Sequence, residues 1–119
     1  MKREMRSSLV KAVIIALAMV GPWIGEPMAA DPLAEVELTL ESGRFSPEEL
    51  RVKAGSPFML VITNKELKDE EFEIQSLKIE KVVPAGRTRR VKMPALRPGV
   101  YRFNGEYAEA TANGRLVVE

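Results

Sequence analysis

The sequence predicts an all-β, Greek-key sandwich of about seven strands, and three observations favour that fold class. From Glu35 onward, short runs that suit β-strands recur, and several of them alternate between apolar and polar residues. Pro and Gly turn signals separate these runs, at intervals of roughly 8 to 12 residues. No stretch of this region is both long enough and suitably periodic to form a large amphipathic helix.

The first half of this region contains three predicted strands, which turns separate. Residues 35–40 alternate strictly, so their apolar side chains share one face. A turn or short helical turn over residues 45–49 precedes a short alternating segment at residues 50–53. Residues 58–63 form a continuous apolar run, which is typical of a central strand.

The second half contains the remaining strands. An extended region over residues 72–83 has irregular apolar spacing, so a bend or bulge is expected near Gln75 and Ser76. Three further strands are predicted over residues 87–93, 100–103 and 114–118. Together these segments complete a two-layer arrangement.

Residues 1–30 have the three-part pattern of a secretory signal. A basic start precedes an uncharged run over residues 12–24, and the segment ends in the small residues Ala29 and Ala30. The run is shorter than the about 20 apolar residues that a membrane span needs, which favours cleavage over an uncleaved anchor. The sequence therefore predicts one periplasmic domain over residues 31–119, with a small core.

The composition excludes several classes of function. The chain has no Cys and no His, so it cannot build a disulfide, a His-based catalytic triad or a zincin-type metal site. No Cys is present to carry a lipid anchor at the signal junction. Ser and Thr nucleophiles lack a base, so we expect no enzyme. With 18 Lys and Arg against 17 Asp and Glu, the chain has no electrostatic footprint for nucleic acid.

The order of the turn signals resembles that of the cupredoxin-like domains of bacterial periplasmic proteins. The resemblance covers essentially all of the mature chain, and it implies a cupredoxin-like Greek-key β-sandwich. The residues that carry it are Phe45-Ser46-Pro47-Glu48, Val52-Lys53-Ala54-Gly55, Thr63-Asn64, Pro84-Ala85-Gly86, Arg97-Pro98-Gly99-Val100-Tyr101 with Phe103, and Gly114 with Leu116-Val117-Val118.

Within that superfamily the sequence is most similar to the EfeO-type branch, whose domains are associated with periplasmic iron uptake. Residues 71–73 look like the Glu-Phe-Glu motif of that branch, and residues 80–86 and 101–114 continue the similarity. The resemblance implies a metal-handling or docking accessory protein. Its partner would be a periplasmic or membrane component of iron transport.

The departures from the blue-copper relatives lie where those relatives keep their metal ligands. The blue-copper relatives carry a His soon after the position of Asn64. In the present sequence, Glu71 or a neighbour stands at the corresponding position. Their Cys would fall near Gly105 and the following His near Ala108, and neither Gly nor Ala has a side-chain donor atom. We therefore expect no type 1 copper site and no redox copper chemistry.

Acidic residues are the remaining candidates for metal ligands. Glu71 and Glu73 lie two apart on an extended segment, which places both carboxylates on one face, roughly 6 to 7 Å apart at the backbone. Oxygen donors of this kind suit iron or another divalent or trivalent cation. Glu80 joins them if the chain doubles back, Glu106 lies on the loop where relatives keep a ligand, and the Tyr107 phenol is a further candidate.

Two alternatives stay open at this point. Acidic residues that alternate with apolar ones are also typical of an ordinary solvated strand face. In that case the protein is a metal-free cupredoxin-fold module that binds another protein.

Overall fold

The computed structural model describes Gly25 and residues 32–119. Apart from Gly25, the predicted secretory signal over residues 1–30 lies outside the described residues. None of the helical segments in the described part has the length and hydrophobicity that a membrane span requires.

Nine β-strands and two short 3₁₀ turns make up the regular structure of residues 32–119. The strands are β1 Ala34–Glu41, β2 Arg44–Ser46, β3 Glu49–Val52, β4 Phe58–Asn64, β5 Glu70–Ile74, β6 Ile79–Val83, β7 Thr88–Met93, β8 Gly99–Gly105 and β9 Asn113–Val118. The first 3₁₀ turn, Gln75–Leu77, connects β5 to β6, and the second, Glu106–Ala108, follows β8. The structure thus has two more strands than the sequence predicts.

The strands form two mixed sheets, which confirms the predicted all-β sandwich. The first sheet has the order β2-β1-β4-β7 and the second β3-β9-β8-β5-β6. Two pairs are parallel, β1 with β4 and β3 with β9, and the other pairs are antiparallel. The apolar run of β4 lies between β1 and β7, as its composition predicts.

The core lies between the two sheets and contains three packed phenylalanines. The Phe45 ring meets Phe72 edge-on at a centroid distance of 6.0 Å and Phe103 at 5.5 Å. The same buried core contains apolar side chains from both sheets, among them Leu38, Leu60, Ile62, Ile74, Met93 and Leu116. Such aromatic contacts add to the free energy gained by burying the rings themselves.

The turn or short helical turn that the sequence predicts over residues 45–49 is only partly confirmed. Pro47 and Glu48 form a bend between β2 and β3. Phe45 and Ser46 instead belong to β2, because burial of the large Phe45 side chain between the sheets outweighs the local turn preference there.

The bend expected near Gln75 and Ser76 is confirmed by the first 3₁₀ turn. Lys78 ends it in the left-handed conformation, with φ of 55° and ψ of 40°, and its backbone N–H donates to the carbonyl of Gln75. The chain reverses there, so β5 and β6 become an antiparallel pair. This reversal positions the acidic residues of both strands.

Candidate functional site

The outward face of β5 and β6 carries three of the four candidate glutamates. Along β5, Glu71 and Glu73 are half-buried, whereas the residues that alternate with them point into the core. Glu73 lies directly opposite Glu80 on β6, so these two side chains share a face. The chain therefore doubles back between β5 and β6, which is the condition under which Glu80 was predicted to join Glu71 and Glu73 as a ligand.

The fourth candidate, Glu106, reaches the same region from the second 3₁₀ turn. The next residue in that turn, Tyr107, donates its hydroxyl hydrogen bond to a carboxylate oxygen of Glu71 at 3.3 Å. We call Glu71, Glu73, Glu80 and Glu106 the carboxylate face. It combines two neighbouring strands and one loop of the second sheet.

The charges of the carboxylate face act on one another. The negative charge of Glu71 is the largest cause that raises the pKa of Glu106, followed by desolvation, a hydrogen bond with Glu71 and the charges of Glu73 and Glu80. Desolvation, followed by the charge of Glu71, raises the pKa of the Tyr107 phenol. A bound cation would relieve this repulsion.

The carboxylate face is not a preformed coordination sphere. Among residues 32–119 and Gly25, no three acidic side chains are arranged to hold one metal ion. Residues two apart on a strand are separated by roughly 6 to 7 Å at the backbone, whereas two oxygens on opposite sides of one ion lie only about 4 to 5 Å apart. An ion would have to draw these side chains together against their mutual repulsion.

A fifth acidic residue, Glu70, lies on the opposite side of β5 and is not among the four predicted metal ligands. Only 5% of its surface is exposed. Its Oε1 accepts the backbone N–H groups of Glu71 and Tyr107, both at 2.8 Å. The two bonds tie the start of β5 to the second 3₁₀ turn. The alternation with Phe72 and Ile74, both buried, is the sequence signal that could have identified it.

Glu70 fills the space beside Gly105. A Cβ atom at position 105 would lie 2.7 Å from the Cδ of Glu70 and 2.9 Å from its Oε2, closer than atoms can approach. Gly105 has φ of −94° and ψ of 121°, which any residue adopts. Its backbone does not require glycine, so the neighbouring carboxyl group is the reason that a side chain does not fit there.

The resemblance to blue-copper proteins places their ligands at Glu71 or a neighbour, near Gly105 and near Ala108, and these positions lie close together at this end of the second sheet. Glu70, a neighbour of Glu71, contacts Gly105. Glu70 and Ala108 line the same cavity of about 450 Å³, together with Tyr107 and Gly43. Of Glu70, Gly105 and Ala108, only Glu70 has a side-chain donor atom.

Acidic residues of the β4–β5 connection also bond to backbone groups, although their sequence is typical of a solvated loop. Glu66 accepts the N–H of Gly43, and Asp69 accepts the N–H of Ala85 at 3.0 Å. Part of the local negative charge thus fixes neighbouring loops in place.

Sequence comparisons match this architecture. A family model described as the cupredoxin-like domain matches residues 12–118. An uncharacterized protein of Rickettsia prowazekii (strain Madrid E) is 30% identical over 94 residues, a match that covers 79% of this chain and 75% of that protein.

Similar solved structures include two copper-binding domains. The metal binding domain of the Cu(I)-exporting P-type ATPase CopA of Streptococcus pneumoniae has a TM-score of 0.63 at 12% identity, covering 76% of this chain and 90% of that one. Auracyanin A, a "blue" copper protein of Chloroflexus aurantiacus, has a TM-score of 0.61 at 17% identity, covering 72% and 98%. At these identities the similarity shows a shared fold.

Proposed function

Because this chain belongs to the cupredoxin-like domain family, we propose that it is an exported accessory protein that handles or docks a hard metal cation. It has no type 1 copper site and no turnover of its own. Export requires that residues 1–30 act as a signal. N-terminal sequencing of the secreted protein should therefore begin at Asp31 or within a residue or two of it.

The copper site that this fold family implies does not fit the donor set of this chain. Such a site uses two imidazoles and a thiolate, with a weak axial ligand. The chain contains no His and no Cys. At the positions named above, Gly105 and Ala108 have no donor atom, and the oxygens of Glu70 are hard ligands that suit copper of this type poorly.

A single observation supports cation binding by the carboxylate face. The charges of Glu71, Glu73 and Glu80 all raise the pKa of Glu106, so the four groups lie within electrostatic reach of one another. Carboxylate oxygens suit hard cations such as Fe(III), Mn(II) and Ca(II). A cation bound among the four carboxylates would replace their mutual repulsion with attraction. The free energy of that attraction would draw the ligands together.

We connect this role with iron transport on the basis of the EfeO-type motif at residues 71–73 and the continuing similarity at residues 80–86. The partner would then be a periplasmic or membrane component of an iron-transport system. A gene for an iron permease beside the gene for this chain would support that connection.

Calorimetric titration with Mn(II) tests the proposed site. The wild-type protein should give a saturable isotherm, and the double variant Glu71→Gln/Glu73→Gln should bind at least about tenfold more weakly, since two ligand charges are lost. The control is Glu35→Gln/Glu37→Gln, which removes two glutamates of the same spacing from β1 in the other sheet. Equal binding by both double variants would refute the assignment.

The second candidate function is a metal-free protein-interaction module. Leu67 is 98% exposed and Tyr107 is 61% exposed. The neighbours of Leu67, Glu66 and Lys68, line the same cavity as Tyr107, so both apolar groups lie at one end of the domain. Elemental analysis of untagged native protein separates the two functions, because stoichiometric metal would argue against the metal-free module.

A further inference from the structure

We infer that the buried Glu70 carboxyl group takes the space that a thiolate ligand at position 105 would need in a copper site of this fold family, and that it holds this end of the domain together without a metal. Glu70 lies on the inner side of β5, so this role does not depend on cation binding by the carboxylate face, which lies on the outer side.

Glu70 fills the space beside position 105. The carboxyl carbon of Glu70 lies 2.7 Å from where the Cβ of any side chain at position 105 would lie. A cysteine there would collide with it. The backbone of Gly105 is in an ordinary extended conformation, so the Glu70 side chain, rather than the backbone, prevents a side chain there.

The Glu70 carboxylate also connects two segments of the chain. Its Oε1 accepts the N–H of Glu71 in β5 and the N–H of Tyr107 after β8. An ion held by ligands near positions 70 and 105 would join the same two segments. Hydrogen bonds from backbone N–H groups to an ionised acceptor are stronger than those between neutral groups.

The Glu70 side chain thus fills the end of the domain where copper-binding relatives would hold their metal. The conformation of this end does not depend on a supply of copper. The surface formed by Tyr107 and Ala108 is therefore held by a carboxylate bonded to the backbone, and Glu70 is a positioning residue of that surface.

A double-mutant cycle between Glu70→Ala and Gly105→Ala tests the spatial argument. In the wild-type background, Gly105→Ala should lower Tm by about 5 to 15 °C, because the added methyl group overpacks the site. In the Glu70→Ala background, the same substitution should lower Tm by less than half as much, since the colliding group is gone. Additive shifts would overturn the inference.

Amide hydrogen exchange tests the two hydrogen bonds to Glu70 in the wild-type protein. This measurement does not require that Glu70→Ala folds. The N–H groups of Glu71 and Tyr107 should be protected. They should stay protected in Glu70→Gln, whose amide oxygen can still accept, and exchange at least about tenfold faster in Glu70→Met. Fast exchange in the wild-type protein would also overturn the inference.

Copper binding by variants with His and Cys at positions 70, 105 and 108 provides a further test. A purely structural role of Glu70 would not affect this binding. The triple variant Glu70→His/Gly105→Cys/Ala108→His should bind Cu(II) and develop the visible absorption of a copper–thiolate bond. The double variant Gly105→Cys/Ala108→His, which retains Glu70, should not. Equal absorption by the two variants, or none by a folded triple variant, would contradict the proposed correspondence of positions.

Discussion

The side-chain amide of Asn64 connects the two sheets, because its Nδ2 donates to the carbonyl oxygen of Val83 at 2.9 Å. Asn64 ends β4 of the first sheet, and Val83 ends β6 of the second. The same amide donates to the Lys68 carbonyl at 2.8 Å and accepts the Glu66 N–H at 2.8 Å. Asn64 is fully buried, so water cannot replace these bonds.

We therefore expect Asn64→Ala to lower the free energy of unfolding by about 2 to 3 kcal/mol, since it removes the hydrogen bonds to the buried Val83 carbonyl and to two part-buried backbone groups. Urea denaturation monitored by circular dichroism measures this. The control is Asn113→Ala, which removes one hydrogen bond from an exposed amide to the Glu109 carbonyl. A loss no larger than that of the control would show that the amide is not the connection we describe.

Gly114 is the point where β9 passes under the ring of Phe103. A Cβ atom at position 114 would lie 2.3 Å from the Cζ of Phe103 and 2.6 Å from the carbonyl oxygen of Glu48. Gly114→Ala should lower the free energy of unfolding by about 1 to 3 kcal/mol, because the core must shift to admit the methyl group. In a Phe103→Leu background the added loss should be smaller, and an unchanged loss would assign the strain to the Glu48 carbonyl instead.

The raised pKa of Glu106 predicts a definite pH dependence of stability. Because the folded state holds this proton more tightly than the unfolded state, Glu106 contributes stability that is fully present below the ordinary glutamate pKa of about 4.3 and is lost as the pH rises through the raised value. As the pH rises through this weakly acidic range, the urea midpoint of the wild-type protein should fall relative to that of Glu106→Gln.

The same measurement in a Glu71→Gln background identifies the cause. The negative charge of Glu71 is the largest contribution to the raised pKa of Glu106. Without that charge, the pH-dependent difference between Glu106 and Glu106→Gln should shrink. A difference that persists at full size would mean that another group is responsible.

An ion-pair network links β3 to β9 on the exposed side of the second sheet. Arg115 contacts Glu49 at 2.7 Å, and Arg51 contacts Glu49 at 3.0 Å and Glu119 at 2.9 Å. The hydrogen bond from Arg115 is the main cause that lowers the pKa of Glu49. This contribution to stability is present above the ordinary glutamate pKa and is lost as the pH falls through the lowered value.

Glu49→Gln should therefore lower Tm at neutral pH and low ionic strength, and the decrease should shrink at about 0.5 M salt, because exposed charges are screened. Thermal melts at both salt concentrations measure this. The control is Arg102→Gln, since Arg102 faces Arg115 from β8 and carries a like charge. A salt-independent decrease would indicate lost packing rather than a lost ion pair.

The strand pattern was largely predictable because it depends on local sequence. Alternation along β1 and the apolar run of β4 indicate strands through side-chain periodicity alone. The three-residue β2 was not predicted, since Ser46 and Pro47 favour a turn locally and only the packing of Phe45 on the opposite sheet extends the chain there.

The relative positions of the acidic residues were also only partly predictable from the sequence. That Glu71 and Glu73 share a face follows from the two-residue period of a strand. That Glu80 lies opposite Glu73 depends on the pairing register of β5 with β6, and the approach of Glu106 depends on how β8 lies beside β5. Neither relationship is encoded in the spacing of the residues along the chain.

By itself, the sequence determined that this domain is a β-sandwich without the His and Cys that type 1 copper needs, because composition and two-residue periodicity are properties of single segments. Only the tertiary structure decided that Glu70 turns inward and takes the space beside Gly105. Those residues lie on strands that are distant in sequence, and a close approach between such strands depends on sheet order and register.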